Sequence, residues 1–480
     1  MTENSTDNKD EDLHAQLQRI IYLLRKYKLV EGFVNLQKLT NQEVAESPIQ
    51  KQNLEELKQL LDKLHPADIA YILEALPLEE RLIIWNLVKT EYDGDVLLET
   101  SDAVRESLIT DMDSDELVAA AEQLDADEIA DLAPDLPREV IDDVFWSLSL
   151  AEREQLRAAM SYPEDAVGAL MDFDVITIRE NVKLEVVLRY LRRLDELPDH
   201  TDQLFVVDRN EHLKGVLLIS RLLVSDPDLE VAQIMTIEMV KLHPDDKAEQ
   251  AAHAFERYDL VSASVVDSDG KLLGRVTVNT VLDFIREKAE NEALNLAGLS
   301  EEEDLFAPVL KSVKNRWVWL AVNLVTAFIA SRVIGIFEDS IEKLVALAAL
   351  MPIIAGIGGN SGNQTITMIV RALALEQVNT DNAWKLIAKE IGVSAVNGLI
   401  WGVIVGVFTY VIYQNASLGL VMTMAMILNL LLAALLGVLI PLTLRKIGRD
   451  PALGSSVMIT AVTDSGGFFI FLGLATLILL

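Results

Sequence analysis

The chain has 480 residues, is 51% hydrophobic, and carries 75 acidic against 41 basic side chains for a formal net charge of −34. That balance excludes nucleic acid as a partner, because phosphate binding depends on Lys and Arg, and it favours a cationic ligand. Zero cysteines exclude disulfides, thiolate metal sites and Cys nucleophiles, and the six scattered histidines show no HExxH spacing.

Residues 1–14 read as a disordered, solvated tail. Its opening, MTENSTDNKDED, is acidic and polar rather than basic and apolar, so no signal peptide is expected and the large N-terminal part should stay in the cytoplasm. From Gln16 the pattern is helical. LHPADIAYILEALP (64–77) and LDADEIADLAPDLP (124–137) align sixty positions apart and share Leu64/Leu124, Ile69/Ile129, Ala70/Ala130, Leu76/Leu136 and Pro77/Pro137. A shorter echo, MDSDELVAAAEQL, runs from 112 to 124. Helical repeats of this kind stack on a shared core, so 15–165 is expected as an acidic α-helical superhelix. Its acids Asp113, Asp115, Asp127, Glu128 and Asp131 fit helix N-termini, where negative charge complements the dipole.

From 166 to 288 short β-rich runs alternate with helices. LFVVDRNEHLKGVLLISRLL (204–223) and ASVVDSDGKLLGRVTVNTVL (263–282) match at an offset of 59, pairing Val207/Val266, Asp208/Asp267, Leu213/Leu272 and Gly215/Gly274. Each reads as strand, turn, strand, helix, with DSDG supplying turn residues, and together they predict a tandem α/β repeat. Residues 289–316 then form a charged connecting helix with an acidic turn, which leads into the first apolar stretch.

Beyond Arg316 lie five candidate spans: 317–337, 344–370, 386–413, 418–444 and 453–480, each near the roughly 20 residues a crossing needs. Lys311, Lys314, Arg316, Arg371, Lys385, Lys389, Arg445, Lys446 and Arg449 flank them on one side. The other side offers only Lys343 among acids, and an uncharged QNAS. The excess of basic residues places the N-terminus inside and the C-terminus outside.

Span two carries PIIAGIGGNSGNQTIT (352–367), whose glycines permit close backbone approach and whose Asn360, Asn363 and Gln364 must be paired or face water. GNSGNQT lacks the lysine of a phosphate-binding loop. Gly358, Gly359, Gly362, Gly466 and Gly467 suggest that spans two and five pack closely, while Asn323, Asn397 and Asn429 read as packing hydrogen bonds. Asp450-Pro451 has the form of an N-cap followed by Pro at N1, opening span five. Within that span Ser456, Thr460, Thr463, Asp464 and Gly467 recur at helical spacing on one stripe. Hydroxyls alone are ordinary interhelical glue, but a carboxylate at mid-depth is costly and marks an ion pathway.

The motifs also carry a family resemblance. The tandem repeat resembles a CBS domain pair, a module that commonly senses adenine nucleotides. Where that family has Ser/Thr-x-x-Asp for the ribose, this chain has Thr277-Val-Asn-Thr280 and Leu218-Ile-Ser-Arg221, which argues for a scaffold without nucleotide. An acidic helical-repeat domain, SYPEDAVGALM (161–171), the CBS pair, a charged connecting helix, GGNSGNQT (358–365) and DPALGSS…TDSGG (450–467) stand in the order found in the MgtE family of magnesium channels and transporters. The resemblance implies a multi-pass homodimer in the cell inner (plasma) membrane with its pore between subunits. It implies that Asp464 holds hydrated magnesium, and that magnesium among cytoplasmic acids closes the gate. Asp450, Glu287, Glu290, Asp127 and Asp131 are the positions matching that sensor.

Magnesium dehydrates reluctantly and is usually held by one or two carboxylates through retained waters, a number that two copies of Asp464 would supply. A proton- or sodium-coupled exchanger and a non-conducting membrane sensor are the alternatives. No nucleophile-base set among the spans suggests an enzyme.

Overall fold

A computed structural model describes residues 6–38, 48–194, 196–297, 299, 304, 306–374, 378 and 383–480. The chain divides into two compact units, 1–287 with 304–306 and 288–303 with 307–480.

In the first unit the expected tail is partly helical, because residues 6–14 open the helix Thr6–Lys38. Short helices follow from Pro66–Glu74 to Leu150–Ala159. Their starts are encoded by capping boxes: Asp113 with Glu116, Asp125 with Glu128 and Ser149 with Glu152. The two repeats bury equivalent residues, Ile69 and Ile129, Leu76 and Leu136, in one hydrophobic core. Apolar burial at about 25 cal/mol per Å² drives this stacking.

Arg81 lies inside that core with no exposed surface. Its Nε donates to the Leu73 carbonyl (2.9 Å), Nη2 to the Leu76 carbonyl (3.1 Å) and Nη1 to Ser107 Oγ (3.1 Å). Nη1 also meets the carboxylate of Asp304 at 2.7 Å, and that acid is itself almost fully buried.

The α/β region forms two three-stranded sheets. In one, β1 (Thr177–Ile178) runs parallel to β2 (Gln203–Val207), which pairs antiparallel with β3 (Leu213–Leu218). The other repeats this with β4 (Lys241–Leu242), β5 (Ser262–Val266) and β6 (Leu272–Thr277). Even the register breaks correspond, between Val206 and Val207 and between Val265 and Val266. The copies join reciprocally: Leu213 N donates to Gly270 O (2.9 Å), and Leu272 N to Glu211 O (3.0 Å). Both turn residues have positive φ, +82° at Gly270 and 66° at Glu211, and only the glycine adopts that region without steric cost.

The helix after β6 is continuous from Val278 to Ala297, so the connecting helix starts eleven residues before the expected boundary at 289. Lys311, Lys314 and Arg316, read as its end, belong instead to the first membrane helix, Val309–Ile336.

The second unit contains that helix and four more: Ala346–Ala374, Ala383–Tyr413, Ala416–Lys446 and Ser455–Leu479. Four of these five are long and apolar enough to cross a membrane. The second is 29 residues long and lies outside that set, because Asn360, Ser361, Asn363, Gln364 and Thr365 lower its hydropathy. The fourth helix packs against the second, third and fifth, and the fifth also packs against the first and second. Exposed faces such as Trp317, Leu320, Leu324 and Phe328 are apolar and suit lipid.

Candidate ion pathway and acidic cluster

Span five does not begin at Asp450. Pro451 to Gly454 form a turn, Gly454 takes a left-handed conformation (φ 62°), and the helix starts at Ser455. Asp450 instead caps the turn, accepting from Ala452 N at 2.8 Å through Oδ1 and from Asn295 Nδ2 at 2.9 Å through Oδ2. Asn295, whose carbonyl also accepts from Gly454 N (3.3 Å), was not foreseen from the sequence. It ties the end of the connecting helix to the entry of span five.

The predicted stripe divides. Thr463 is fully buried and donates to the Ile459 carbonyl (2.8 Å), and Gly467 closes on Asn429, so both face the interior of the helix bundle. Ser456, Thr460 and Asp464 occupy a half-buried edge, with Thr460 Oγ1 donating to the Ser456 carbonyl at 2.8 Å. The Thr460 hydroxyl proton is used by the backbone, which leaves its oxygen as an acceptor on this edge. Among the described residues, no side chain donates to Asp464.

Spans two and five run antiparallel and in close contact. Thr463 Oγ1 lies 3.7 Å from where a Cβ on Gly359 would stand, and a Cβ on Gly362 would collide with Ile459. This register sets Asn360 at the depth of Asp464. Asn360 and Gln364 are exposed, and Asn363 is half-buried. The tight glycines are Gly358, Gly362, Gly466 and Gly467, whereas Gly359 has room for a methyl group. Three of the four contacts are with span four rather than directly between spans two and five: Gly358 and Gly467 meet Asn429, and Gly466 meets Leu432. Of the three membrane asparagines, Asn429 is buried as a packing bond, while Asn323 and Asn397 lie exposed on the single chain.

In the first unit Asp127 and Asp131 lie one turn apart on the helix Ala126–Leu132. Burial, with Asp172 nearby, pushes Asp127 up to about 8. Burial raises Asp131 to about 6 against the pull of Arg105, with Glu128, Glu287 and Asp283 adding repulsion. Asp125, Glu128 and Asp172 are raised too, first by burial and then by one another's charges, although Arg275 restrains Asp172 through a 2.7 Å ion pair. Asp125, Asp127, Glu152 and Asp174 line a polar cavity of about 60 Å³. Sequence reading missed Asp125, Asp172 and Asp174 as members, and only the capping signature of Asp125 with Glu128 was visible. Glu287 joins through its field at Asp131, while Glu290 is exposed and belongs to the second unit. In the CBS pair Thr277 and Thr280 bond each other at 3.0 Å (Oγ1 to Oγ1), so the Thr-x-x-Thr hydroxyls are mutually occupied.

A helical N domain, a CBS pair and an apolar helical region with the Asp464 carboxylate inside its last helix define a multi-domain membrane protein of the ion-transport class. The family model described as "Divalent cation transporter" matches 351–474, the "MgtE intracellular N domain" 64–165, and the CBS domain 167–226 and 231–287. The chain belongs to the MgtE family. It is 30% identical to the magnesium transporter MgtE of Thermus thermophilus over 90% of this chain and 97% of that protein. Identity to the Bacillus subtilis magnesium transporter MgtE is 25%, over 88% of this chain and 94% of that protein. A crystal structure of the cytosolic domain of the Mg2+ channel MgtE in complex with ATP is 30% identical, covers 49% of this chain and 96% of its own, and has a TM-score of 0.45.

Proposed function

We propose that the chain mediates magnesium uptake across the cell membrane as a homodimer, with the N-terminal unit inside and Asp464 as the ion ligand. The observation that carries this reading is the unpaired Asp464 on the edge formed with Ser456 and Thr460. One such edge is half a pathway. Two copies facing each other supply two carboxylates and a set of oxygens that can accept protons from the waters magnesium retains. An inside-negative potential of 100 mV favours entry by about 2.3 kcal/mol per charge, twice that for a divalent ion, so uptake needs no chemical fuel. Purified protein in liposomes should take up magnesium when voltage alone is imposed. Uptake that requires an opposing proton or sodium gradient would replace the channel with an exchanger, and absence of flux would leave only a sensor.

The acidic cluster is the regulatory counterpart in this reading. Asp127 holds a proton in the folded unit up to about pH 8, whereas its ordinary value is 3.8. The folded form therefore loses stability as pH rises from the ordinary range through about 8, and a cation that neutralises the cluster returns it. Magnesium must displace protons here, so its binding should tighten between pH 6.5 and 8.5. Protease protection of the full-length protein by magnesium measures this. The half-protecting concentration should fall across that window, and the Asp127→Asn/Asp131→Asn variant should flatten the dependence. A pH-independent response in the unaltered chain would remove these acids from the sensor. Asp450 and Glu290, the other positions matched to the sensor by the family resemblance, belong to the second unit.

A further inference from the structure

We propose that Asn429 of the fourth span is a positioning residue for Asp464: its amide sets the backbone of span two against that of span five. The inference rests on the transport reading above. Asn429 is fully buried, and its Nδ2 donates to the carbonyl of Ile354 in span two at 2.9 Å. Two glycines on two different helices make room for this one amide. A Cβ at Gly358 would collide with Nδ2, and a Cβ at Gly467 would stand 2.8 Å from Nδ2 and 3.0 Å from Oδ1. Gly467 lies one turn beyond Asp464, and Gly358 one turn beyond Ile354. The amide therefore fixes the two turns that set where the carboxylate stands relative to the Gly/Asn-rich segment.

The remaining atom argues against simple packing. Among the described residues, Asn429 Oδ1 is buried and has no hydrogen-bond partner. An unpaired buried acceptor carries an uncompensated desolvation cost, and an apolar side chain would fill a helix junction without it. Mid-membrane amides in double-mutant tests are modest glue. Among the described residues, half of this amide contributes no bond, while its other half bonds the backbone of span two from a different helix. What that bond supplies beyond packing is register. Spans two and five meet through small residues, with room at Gly359 beside Thr463, and such a contact slides easily unless something keys it.

Because the chain has no cysteine, register can be read directly by disulfide formation. In the full-length protein, a cysteine pair at Gly359 and Thr463 should cross-link rapidly, and Asn429→Ala should slow this reaction and disperse it to pairs one turn away. In liposomes, Asn429→Ala without engineered cysteines should raise the half-saturating magnesium concentration by about tenfold or more, the scale seen when a group that orients a metal ligand is lost. Discrimination against calcium should fall with it. Asn429→Ala/Gly358→Ala places a methyl in the vacated space, so thermal stability in detergent should recover. Half-saturation and discrimination should not, because alanine cannot donate to the Ile354 carbonyl. Unchanged cross-linking in Asn429→Ala, or recovery of half-saturation with the refilling methyl, would overturn the positioning role. If the unaltered chain moves no magnesium the transport reading fails separately, and the cross-linking comparison still decides whether Asn429 keys the two spans.

Discussion

Asp464→Asn is expected to abolish magnesium uptake while leaving membrane insertion and assembly intact. The substitution keeps the shape of the side chain and removes its charge, and no described side chain loses a partner by it. Its effect therefore falls on the ion. A divalent cation about 5 Å from one carboxylate, at an effective dielectric constant near 20, is held by about 7 kcal/mol. Loss of even half that energy exceeds two factors of ten in affinity, since about 1.4 kcal/mol is one factor. In liposomes the variant should show no voltage-driven uptake at concentrations that saturate the unaltered protein. Uptake at the original rate would show that the ion does not pass Asp464. Thr463→Ala is a useful companion, because that hydroxyl already bonds the Ile459 carbonyl and the residue faces the interior. It should change uptake far less.

Asp304→Ala should destabilise the first unit by about 3–5 kcal/mol, the range found when one partner of a buried ion pair is removed. Arg81 would keep two carbonyls and the Ser107 hydroxyl, but its charge would remain buried without a counter-charge. Asp304 lies five residues before the helix that begins at Val309. Chemical denaturation of the full-length protein, followed by limited proteolysis, should show earlier unfolding and faster cleavage around residue 304. Arg81→Met/Asp304→Ala removes both charges and should recover much of the loss. Equal destabilisation by the single and double variants would mean that the two residues do not act as a pair.

Much of the architecture was legible because it is written in short-range pattern. Repeat spacings of 60 and 59 and the apolar runs announced the helical stack, the tandem sheets and the membrane helices. The second of the five expected spans is a helix of 29 residues, but its glycines and asparagines keep it out of the set apolar enough to cross. Boundaries were less secure: the connecting helix starts at Val278 because nothing interrupts the helix that follows β6. At the turn before span five, Asp450-Pro451 had the local signature of a helix start, but left-handed Gly454 breaks the helix and moves the start to Ser455.

By itself the sequence determined which residues carry charge into the membrane and which segments repeat, since these follow from composition and period. Only the tertiary structure decided how the stripe around Asp464 divides between interior and edge, because helical spacing names a face without naming what covers it. It alone joined Asp127 to Asp172, more than forty residues away, and Asp131 to Glu287, where burial first and then repulsion raise the proton affinity of Asp127 and Asp131. It also paired Arg81 with Asp304 and set Asn429 between two glycines of other helices. Such contacts depend on the packing of distant segments, and neither propensity nor periodicity encodes the partner across a fold.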